Sequence, residues 1–230
     1  MAGRKNPAKT EATRQKLLEA SYVLFTSKNI ESVSMEQAAN AAGFGVATLY
    51  RYYSTKPKLV VAVATWKWGR QLAANRLDRP SPEFESMTAA EVFGFFLDSF
   101  FNLYQNDREL LRFNQFFNVY IRAENVEAET LSPYREMIEG LAKQFHIIYE
   151  KAAVDHTVRT DVPEEEMFRT PLHLMLAAVT RFAVGLVYRP DNDEAALKEL
   201  KTLKRELLRE YTIGAESAPR AESGVRRAEI

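Results

Sequence analysis

Apolar residues along this chain recur at intervals of three and four positions, which is the period of one face of an α-helix. No segment shows the regular apolar and polar alternation of a half-buried strand. The pattern therefore predicts an all-α protein. The predicted helices cover residues 10–28, 35–42, 46–53, 56–77, 88–105, 107–124, 131–157, 164–189 and 194–212, with a linker at 78–82.

The segment from residue 34 to residue 53 predicts two short helices joined by a tight glycine turn. Ser34 suits the N-cap of the first helix, and Gln37 three residues later completes a capping box. Gly43 tolerates the positive φ that is common just after a helix, and Gly45 is the expected N-cap of the next one. A second helix that begins with small residues after such a turn is typical of a helix-turn-helix.

The second of these helices predicts a surface that fits a DNA major groove. Leu49 and Tyr53 are expected to face inward, which leaves the opposite side exposed. There Val46 and Thr48 can touch base edges or thymine methyl groups, and Arg51 can reach a guanine or a phosphate. Further candidates for phosphate contacts are Tyr50, Tyr52 and Lys56. Spacing alone leaves open a compact three-helix unit whose third helix is merely solvated.

The net charge of zero hides an uneven distribution along the chain. Residues 1–60 contain nine Lys or Arg and four Asp or Glu, a balance of +5, and the remainder carries −5. Residues 1–9 are predicted to form a mobile basic arm. A basic head on an acidic body fits a polyanion-binding head, because phosphate attraction supplies most non-specific affinity for nucleic acid. Small charge asymmetries are common, so the charge distribution supports the helix-turn-helix prediction but does not by itself indicate DNA binding.

Composition and motifs argue against secreted, membrane and enzyme classes. The chain has no cysteine, and its polar, basic start lacks the apolar stretch of a signal peptide. No apolar run reaches the roughly 18 residues that span a bilayer, so we expect a soluble cytoplasmic protein. His146, His156 and His173 lack the i, i+4 spacing of a metal-binding helix, and no glycine-rich phosphate loop is present. No catalytic residue, metal site or cofactor is predicted.

Aromatic residues at helical spacing are concentrated in the middle of the chain. The plain interpretation is that they fill a helical core. The functional interpretation is that some line a pocket for an apolar or aromatic small molecule, with polar side chains that fix its orientation. The candidate ligand-binding residues are Phe96, Phe100, Tyr104, Phe113, Phe117, Tyr120, Phe145, His146, Tyr149 and His173.

The last two predicted helices carry a signal for dimerisation. Residues 172–188 are apolar on almost every side, and such a helix must be covered on both faces. Two antiparallel helices with spare apolar surface pair with their two-fold copies into a four-helix bundle. The candidate interface residues are Met175, Ala178, Phe182, Leu186, Leu200, Leu203, Leu207 and Tyr211. A monomeric core is the alternative, and Pro171 either kinks this helix or marks its start near Thr170.

Residues 10–60 resemble the DNA-binding head of the tetracycline-repressor (TetR) family of transcription regulators. The resemblance is carried by residues 13–21, by Leu24-Phe25, and above all by Ala41-Ala42-Gly43-Phe44, Thr48-Leu49-Tyr50 and Tyr52-Tyr53 followed by Lys56. It implies a helix-turn-helix domain at 10–55 and a helical ligand-binding and dimerisation domain at 56–212. The composition of residues 213–230, rich in Ala, Glu, Arg, Ser and Gly, predicts a disordered tail. The positions that match DNA-facing places in the family are Ser34, Met35, Gly45, Val46, Ala47, Thr48, Tyr50, Arg51, Tyr52 and Lys56.

Some positions depart from the family pattern. Glu36 is acidic where a basic residue often helps to hold phosphate, and Pro57 stands where glutamate is common, although proline is tolerated in the first turn of a helix. Ser34 replaces a threonine and keeps the capping function.

The resemblance implies a homodimer that binds a near-palindromic DNA operator and is released by a small, largely apolar effector. Whether it represses or activates depends on where the operator lies. The competing hypothesis is a small-molecule-sensing module that acts through a protein partner and binds DNA only weakly and without sequence preference. Glu36 and the modest basic charge of the head leave that hypothesis open.

Overall fold

A computed structural model describes residues 7–74, 76, 81–186 and 192–214. Within these residues the chain folds into ten α-helices, and the only extended pairing described is an isolated bridge between Val158 and Thr212. The helices are α1 (Pro7–Lys28), α2 (Met35–Ala41), α3 (Val46–Tyr52), α4 (Lys56–Ala74), α5 (Pro82–Ser86), α6 (Ala89–Asn106), α7 (Arg108–Ala123), α8 (Ser132–Asp155), α9 (Glu164–Val184) and α10 (Asp193–Tyr211). The all-α prediction is confirmed.

The first three helices form a small head with its own core. Leu17 and Phe25 of α1 are fully buried against Ala38 of α2 and Leu49 of α3. Helix α1 begins at Pro7, three residues before the predicted start. Proline suits the first position of a helix, because the N–H that it lacks would have no partner there and its fixed φ is close to the helical value. The predicted mobile arm is therefore wrong at residues 7–9, and its first six residues lie outside the described part.

Both ends of α2 have the predicted geometry. Ser34 Oγ accepts from the Gln37 N–H at 3.1 Å, and the Gln37 side chain accepts from the Ser34 N–H at 2.9 Å, which completes the capping box. Gly43 has φ +75°, a conformation that a side chain would strain. Gly45 caps α3 in an extended conformation. The turn at Gly43 and Gly45 sets the direction of α3 relative to α2.

Helices α4 to α10 form the body, in which α9 packs against α6, α7, α8 and α10. Four buried rings join three of these helices: Phe93 and Phe96 of α6, Phe145 of α8 and Phe168 of α9. The ring centroids of Phe145 lie 5.2 Å from Phe96 and 5.4 Å from Phe168. Offset and edge-on rings at such distances attract each other beyond their area burial. For these four rings the plain interpretation of the aromatic pattern holds, because they fill the core of the body.

Several helix ends differ from the sequence prediction. Helix α9 runs through Pro171, so the alternative start near Thr170 is wrong, and it ends at Val184 because Gly185 adopts φ +104°. Helix α5, which Ser81 caps and Pro82 opens, was not predicted; it lies between the predicted linker 78–82 and the predicted helix 88–105. Residue 77 of the predicted fourth helix, residues 78–80 of the linker and residues 187–189 of the predicted helix 164–189 lie outside the described residues. Helix α8 stops at Asp155, followed by His156 at φ 56°.

The prediction of a disordered tail from residue 213 is wrong at Ile213. The Ile213 N–H donates to the Thr157 carbonyl at 2.9 Å, which ties the chain after α10 to the loop after α8. Residues 215–230 lie outside the described part.

One residue of α1 connects the head with the body. The Tyr22 ring meets Phe113 of α7 edge-on at 5.4 Å and Trp66 of α4 at 6.3 Å. Lys67 Nζ lies 4.8 Å from the centre of the same ring and forms an ion pair with Asp107 at 2.7 Å. We call these five residues the Tyr22 joint. Burial raises the pKa of the Tyr22 phenol far above its usual range, with a smaller contribution from the Asp107 carboxylate.

The structure contradicts half of the predicted dimer residues. Met175, Leu200, Leu207 and Tyr211 are at most 5% exposed, because they fill the core of a single protomer. The other four, Ala178, Phe182, Leu186 and Leu203, are partly exposed. The apolar stripe of α10 is therefore used within the protomer, where it packs against α6 and α9.

We predict that Ser34→Ala lowers the free energy of unfolding of the DNA-free protein by about 1 kcal/mol, because an orphan N–H of α2 loses its partner. Urea unfolding at a fixed protein concentration measures this. Ser27→Ala is the matched control, since that exposed hydroxyl only bonds a carbonyl within α1. Equal stability of the two variants would contradict the prediction, and Ser34→Thr is expected to stay near the wild type.

Candidate nucleic-acid interface and ligand cavity

The outward side of α3 is an exposed surface of small, aromatic and basic side chains. Val46 is 39% exposed and Tyr50 49% exposed, and Ala47 and Arg51 are also exposed. Leu49 and Tyr53 are buried on the opposite side of the helix, as the periodicity predicted. Helix α3 thus presents a narrow surface with small residues at its N-terminal end, and this shape lets its backbone approach a groove closely.

Three predicted members of this surface are only partly available or not at all. The Met35 side chain is 7% exposed and packs in the core of the head, so the structure does not support its prediction as a DNA-facing side chain. Thr48 is half-buried. Tyr52 is also half-buried, and its hydroxyl donates to the Thr10 carbonyl at 3.4 Å. Gly45 and Ser34 lie at the starts of α3 and α2, where both are exposed.

The Lys56 side chain is directed at the protein itself. Its Nζ donates to the Glu31 carbonyl at 3.0 Å and lies 5.5 Å from the centre of the Tyr120 ring of α7. Burial lowers the pKa of Lys56, and the carboxylates of Glu124 and Glu31 act in the opposite direction. In this arrangement Lys56 links the head to α7, and the structure does not support the predicted phosphate contact of its ammonium group.

A cavity of about 70 Å³ lies inside the body, between α4, α6, α8 and α9. Its walls are almost entirely apolar, and none of the described residues that line it is charged. The lining residues are Trp68, Gln71 and Leu72 of α4; Phe96, Ser99, Phe100 and Leu103 of α6; Tyr134, Ile138 and Leu141 of α8; and Leu172 and Leu176 of α9. Helix α4 therefore forms one wall of the cavity and also leads directly to the head.

Of the predicted ligand residues, Phe96 and Phe100 line this cavity. The other aromatic candidates have structural roles. Phe113 belongs to the Tyr22 joint, Phe145 to the ring cluster, and Tyr120 lies under Lys56. Tyr104 donates to Asp193 at 3.1 Å, Tyr149 donates to the Val162 carbonyl at 2.7 Å, and Phe117 packs on Tyr134 at 4.8 Å.

The two histidines are outside the cavity. His146 is exposed, and its hydrogen bond with Glu164 at 2.8 Å raises the pKa of the imidazole. His173 is exposed on α9. Neither one therefore orients a ligand in the body's interior. The lining residues that carry polar side-chain atoms are instead Trp68, Gln71, Ser99 and Tyr134, which the sequence prediction missed. The signal available in the sequence was the apolar periodicity of the predicted helix 56–77, which contains Trp68.

Two more open concavities lie on the surface. A groove of about 390 Å³ runs between α7 and α9 and is lined by polar residues that include His173, Arg181 and the buried side chains of Asn114 and Thr180. A cleft of about 510 Å³ separates the head from the body between α1, α4 and the segment 127–133. The Tyr53 ring lies at the base of that cleft, with Arg14 and Glu11 at its edge.

Comparison with known proteins agrees with this geometry. The family model described as bacterial regulatory proteins of the tetR family matches residues 17–63, which cover α2, α3 and parts of α1 and α4. The head of this chain therefore belongs to the TetR family of transcription regulators.

Relatives of this chain are also transcriptional regulators of the helix-turn-helix type. An HTH-type transcriptional regulator of Mycobacterium tuberculosis is 34% identical over 77 residues, which is 32% of this chain and only 38% of the length of that relative. The HTH-type transcriptional regulator YvdT of Bacillus subtilis is 24% identical over 207 residues and covers 87% of this chain and 98% of its own length.

Solved structures share the whole fold. A TetR transcription regulator of Haloarcula marismortui has a TM-score of 0.65 at 16% identity, covering 88% of this chain and all of its own. The fatty acid degradation regulator FadR of Bacillus halodurans has a TM-score of 0.64 at 14% identity, covering 89% of this chain and 96% of its own. At these identities the likeness concerns the fold, a helix-turn-helix head on a helical body.

The described residues contain no helix that is both long and apolar enough to cross a bilayer. Among the same residues, no three His, Asp or Glu side chains come together in a group that would hold a metal ion.

We predict that Tyr134→Phe makes stability less sensitive to alkaline pH. Burial raises the pKa of Tyr134 to about 12 from its ordinary 10.0. The unfolded chain therefore ionises first as the pH rises, and the folded state loses stability between those two values. For one group this loss is at most about 1.4 kcal/mol per pH unit. Urea unfolding at about pH 9 and about pH 11 should show a smaller loss for Tyr134→Phe than for the wild type.

Tyr50→Phe is the control for this comparison, because the Tyr50 ring is exposed on α3. An identical loss of unfolding free energy at alkaline pH in Tyr134→Phe and in the wild type would contradict the burial of the Tyr134 phenol.

Proposed function

We propose that this TetR-family protein is a ligand-responsive repressor that acts in the cytoplasm. It binds a near-palindromic DNA operator as a homodimer and is released by a small, largely apolar effector. The observation that carries the proposal is the pairing of an exposed recognition helix with an internal cavity through one helix. Helix α4 follows the head directly, and its residues Trp68, Gln71 and Leu72 form a wall of the cavity.

Helix α3 is the element that would enter the major groove. Val46 and Ala47, exposed at its N-terminal end, are small enough to let the helix backbone approach base edges. Arg51 is exposed one to two turns later and suits a guanine or a phosphate. Tyr50 is nearly half exposed and offers its hydroxyl to a phosphate oxygen. The basic balance of residues 1–60 favours this use.

The effector would act through the position of α4. A molecule in the cavity contacts α4 on one side and α6, α8 and α9 on the others, so it stabilises the spacing of these helices that fits it best. From Lys56 to Trp68 the helix spans about 18 Å at 1.5 Å per residue, and a small tilt at the cavity therefore displaces the head. The effect on DNA affinity is limited by the difference in effector affinity between the two states.

The partner protomer would cover the outward stripe of α9. Leu174 is 45% exposed and Val184 46% exposed, with Ala177 exposed between them. These residues are three, seven and ten positions apart, so they share one face of the helix. The stripe replaces the buried side chains that the sequence prediction assigned to the interface. Ala178, at its margin, stays a member of the proposed interface.

The first experiment is selection of bound duplexes from a random DNA pool at about physiological salt. Recovery of an inverted repeat is the expected result, since a two-fold dimer presents two copies of α3. Recovery of no common sequence from folded, dimeric protein would favour the sensing module that acts through a protein partner.

We predict that Arg51→Ala weakens binding to the selected operator by about 1–3 kcal/mol, and lowers the salt slope of the affinity by about one if the contact is to phosphate. Fluorescence anisotropy at several salt concentrations measures both quantities. Arg209→Ala, which removes the same charge from the exposed side of α10, is the matched control and should leave both unchanged. Equal binding by both variants would show that Arg51 does not contact the operator.

Lys56→Met should behave differently from Arg51→Ala. The Lys56 ammonium group is already bound to the Glu31 carbonyl and stacked on Tyr120, so its removal should leave the salt slope unchanged and lower the thermal stability instead. A slope reduced as much as in Arg51→Ala would show that Lys56 turns outward on DNA.

We predict that Leu174→Glu raises the dissociation constant of the dimer at least about tenfold, the equivalent of 1.4 kcal/mol, because a buried, unpaired carboxylate is costly at an apolar contact. Sedimentation velocity over a range of concentrations measures it. Lys201→Gln, on the exposed side of α10, changes the net charge by the same amount and is the control. A Leu174→Glu protein that stays dimeric would place the interface elsewhere.

A further inference from the structure

The two tryptophans of this chain differ in what their indole N–H groups bind. Trp66 Nε1 donates to Gln15 Oε1 at 3.2 Å, which ties α4 to α1. Trp68 is 7% exposed, and its Nε1 is a buried donor with no acceptor among the described residues. Buried polar groups nearly always have a partner, so an orphan N–H on a side chain that lines a cavity points to an acceptor that arrives with a ligand.

The surroundings of Trp68 restrict which ligands fit. The cavity that it lines is walled by Leu72, Phe96, Phe100 and other apolar side chains, and no charged residue appears among the described lining. A carboxylate, phosphate or ammonium group would lose its hydration there without gaining an opposite charge. A neutral oxygen that accepts one hydrogen bond would meet the orphan N–H without that cost.

The other polar atoms of the lining are compatible with this assignment. Ser99 Oγ already donates to the Phe96 carbonyl at 2.6 Å, so its hydroxyl proton is used within α6. Tyr134 keeps its phenol neutral, because burial raises its pKa to about 12. Among the lining residues, only Trp68 has a buried polar atom without a partner in the described part of the chain, and it belongs to the helix that leads to the head.

We infer that this cavity binds an uncharged, mainly apolar molecule that carries a ketone, ester, ether or similar oxygen, and that Trp68 Nε1 donates to that oxygen. The inference rests on the proposed function only for its regulatory meaning; the binding itself does not require it. It names the chemical class of the effector beyond its apolar character, and it makes Trp68 the residue that decides between otherwise similar apolar molecules.

The size of the cavity links ligand entry to helix movement. An engineered apolar cavity of about 150 Å³ holds one benzene molecule, whereas this cavity measures about 70 Å³. A ring of six atoms therefore enters only if the walls separate. The hydrogen bond to Trp68 holds such a molecule against α4, so the separation has to occur between α4 and the helices opposite it.

The indole N–H of Trp68 also supplies the test. The chain has only two tryptophans, so nitrogen–proton correlation spectra contain two indole signals, and Trp66→Phe assigns them by loss of one. Cyclohexanone is titrated into the full-length dimer, with methylenecyclohexane as the isosteric molecule without an acceptor and cyclohexanecarboxylate as the charged one. The expected result is a saturable downfield shift of the Trp68 signal with the ketone, an unshifted Trp66 signal, and no saturable binding of the carboxylate.

Trp68→Phe removes the donor and keeps an aromatic ring at the wall. The ratio of the affinities for cyclohexanone and methylenecyclohexane should fall about fivefold in this variant, the effect of one net hydrogen bond between neutral groups. The ratio is used because the hydration of each molecule cancels between the two proteins. Trp66→Phe is the matched control and should keep the wild-type ratio, since the Trp66 N–H is already bound to Gln15.

If Trp68→Phe does not fold, as judged by circular dichroism, the assigned indole shift in the wild-type protein decides the question. The inference is overturned if the ketone causes no saturable shift of the Trp68 signal up to its solubility, if cyclohexanecarboxylate binds as tightly as the ketone, or if folded Trp68→Phe keeps the wild-type ratio.

A separate measurement distinguishes this inference from the proposed function. Release of the selected operator is followed by anisotropy while the ketone is added at saturating concentration. Binding at Trp68 without release would keep the ligand assignment and reject the coupling to DNA. Release without a shift at Trp68 would keep ligand response and reject this cavity as its site.

Discussion

The packing around Tyr22 is the contact on which the arrangement of this protein depends. A helix-turn-helix head of three helices could fold around Leu17, Phe25 and Leu49 by itself, but its orientation on the body would then be free. Tyr22 removes that freedom, because its ring is enclosed by Trp66 of α4 and Phe113 of α7, with Lys67 above it and Asp107 beyond. Aromatic edges and a partly buried ion pair have directional geometry, so this joint fixes an angle as well as a distance.

Helix α4 connects the regions that would have to communicate. It begins beside the head, where Lys56 reaches the Glu31 carbonyl and the Tyr120 ring, and it contributes Trp66 and Lys67 to the Tyr22 joint. One residue after the joint it contributes Trp68 to the cavity. Because Trp66 and Trp68 lie on different sides of the same helix, a displacement at the cavity acts on the joint through a rigid element. Such a connection is a mechanical argument for coupling, and its size depends on differential binding of the two states.

The aromatic residues of the body divide into two groups with different consequences. Phe93, Phe145 and Phe168 close a core in which every ring has ring neighbours. Phe96 and Phe100 also line the cavity, where α4 does not fully close on α6. A closed core stabilises one packing arrangement, whereas an incompletely filled wall permits two. The proposed ligand response therefore belongs at the second group, next to α4, the helix that we propose to move.

The local features of this protein were determined by its sequence alone. The capping box of Ser34 and Gln37, the positive φ of Gly43 and the inward side of α3 involve residues only a few positions apart, and short-range geometry decides them. Only the tertiary structure decided which apolar stripe stays inside a protomer, and so it moved Leu200 and Leu207 from the interface to the core. It also turned Lys56 toward Tyr120 and placed Trp68, rather than Phe145, at the cavity. Periodicity shows that a side chain is buried, but the neighbours that bury it come from distant parts of the chain.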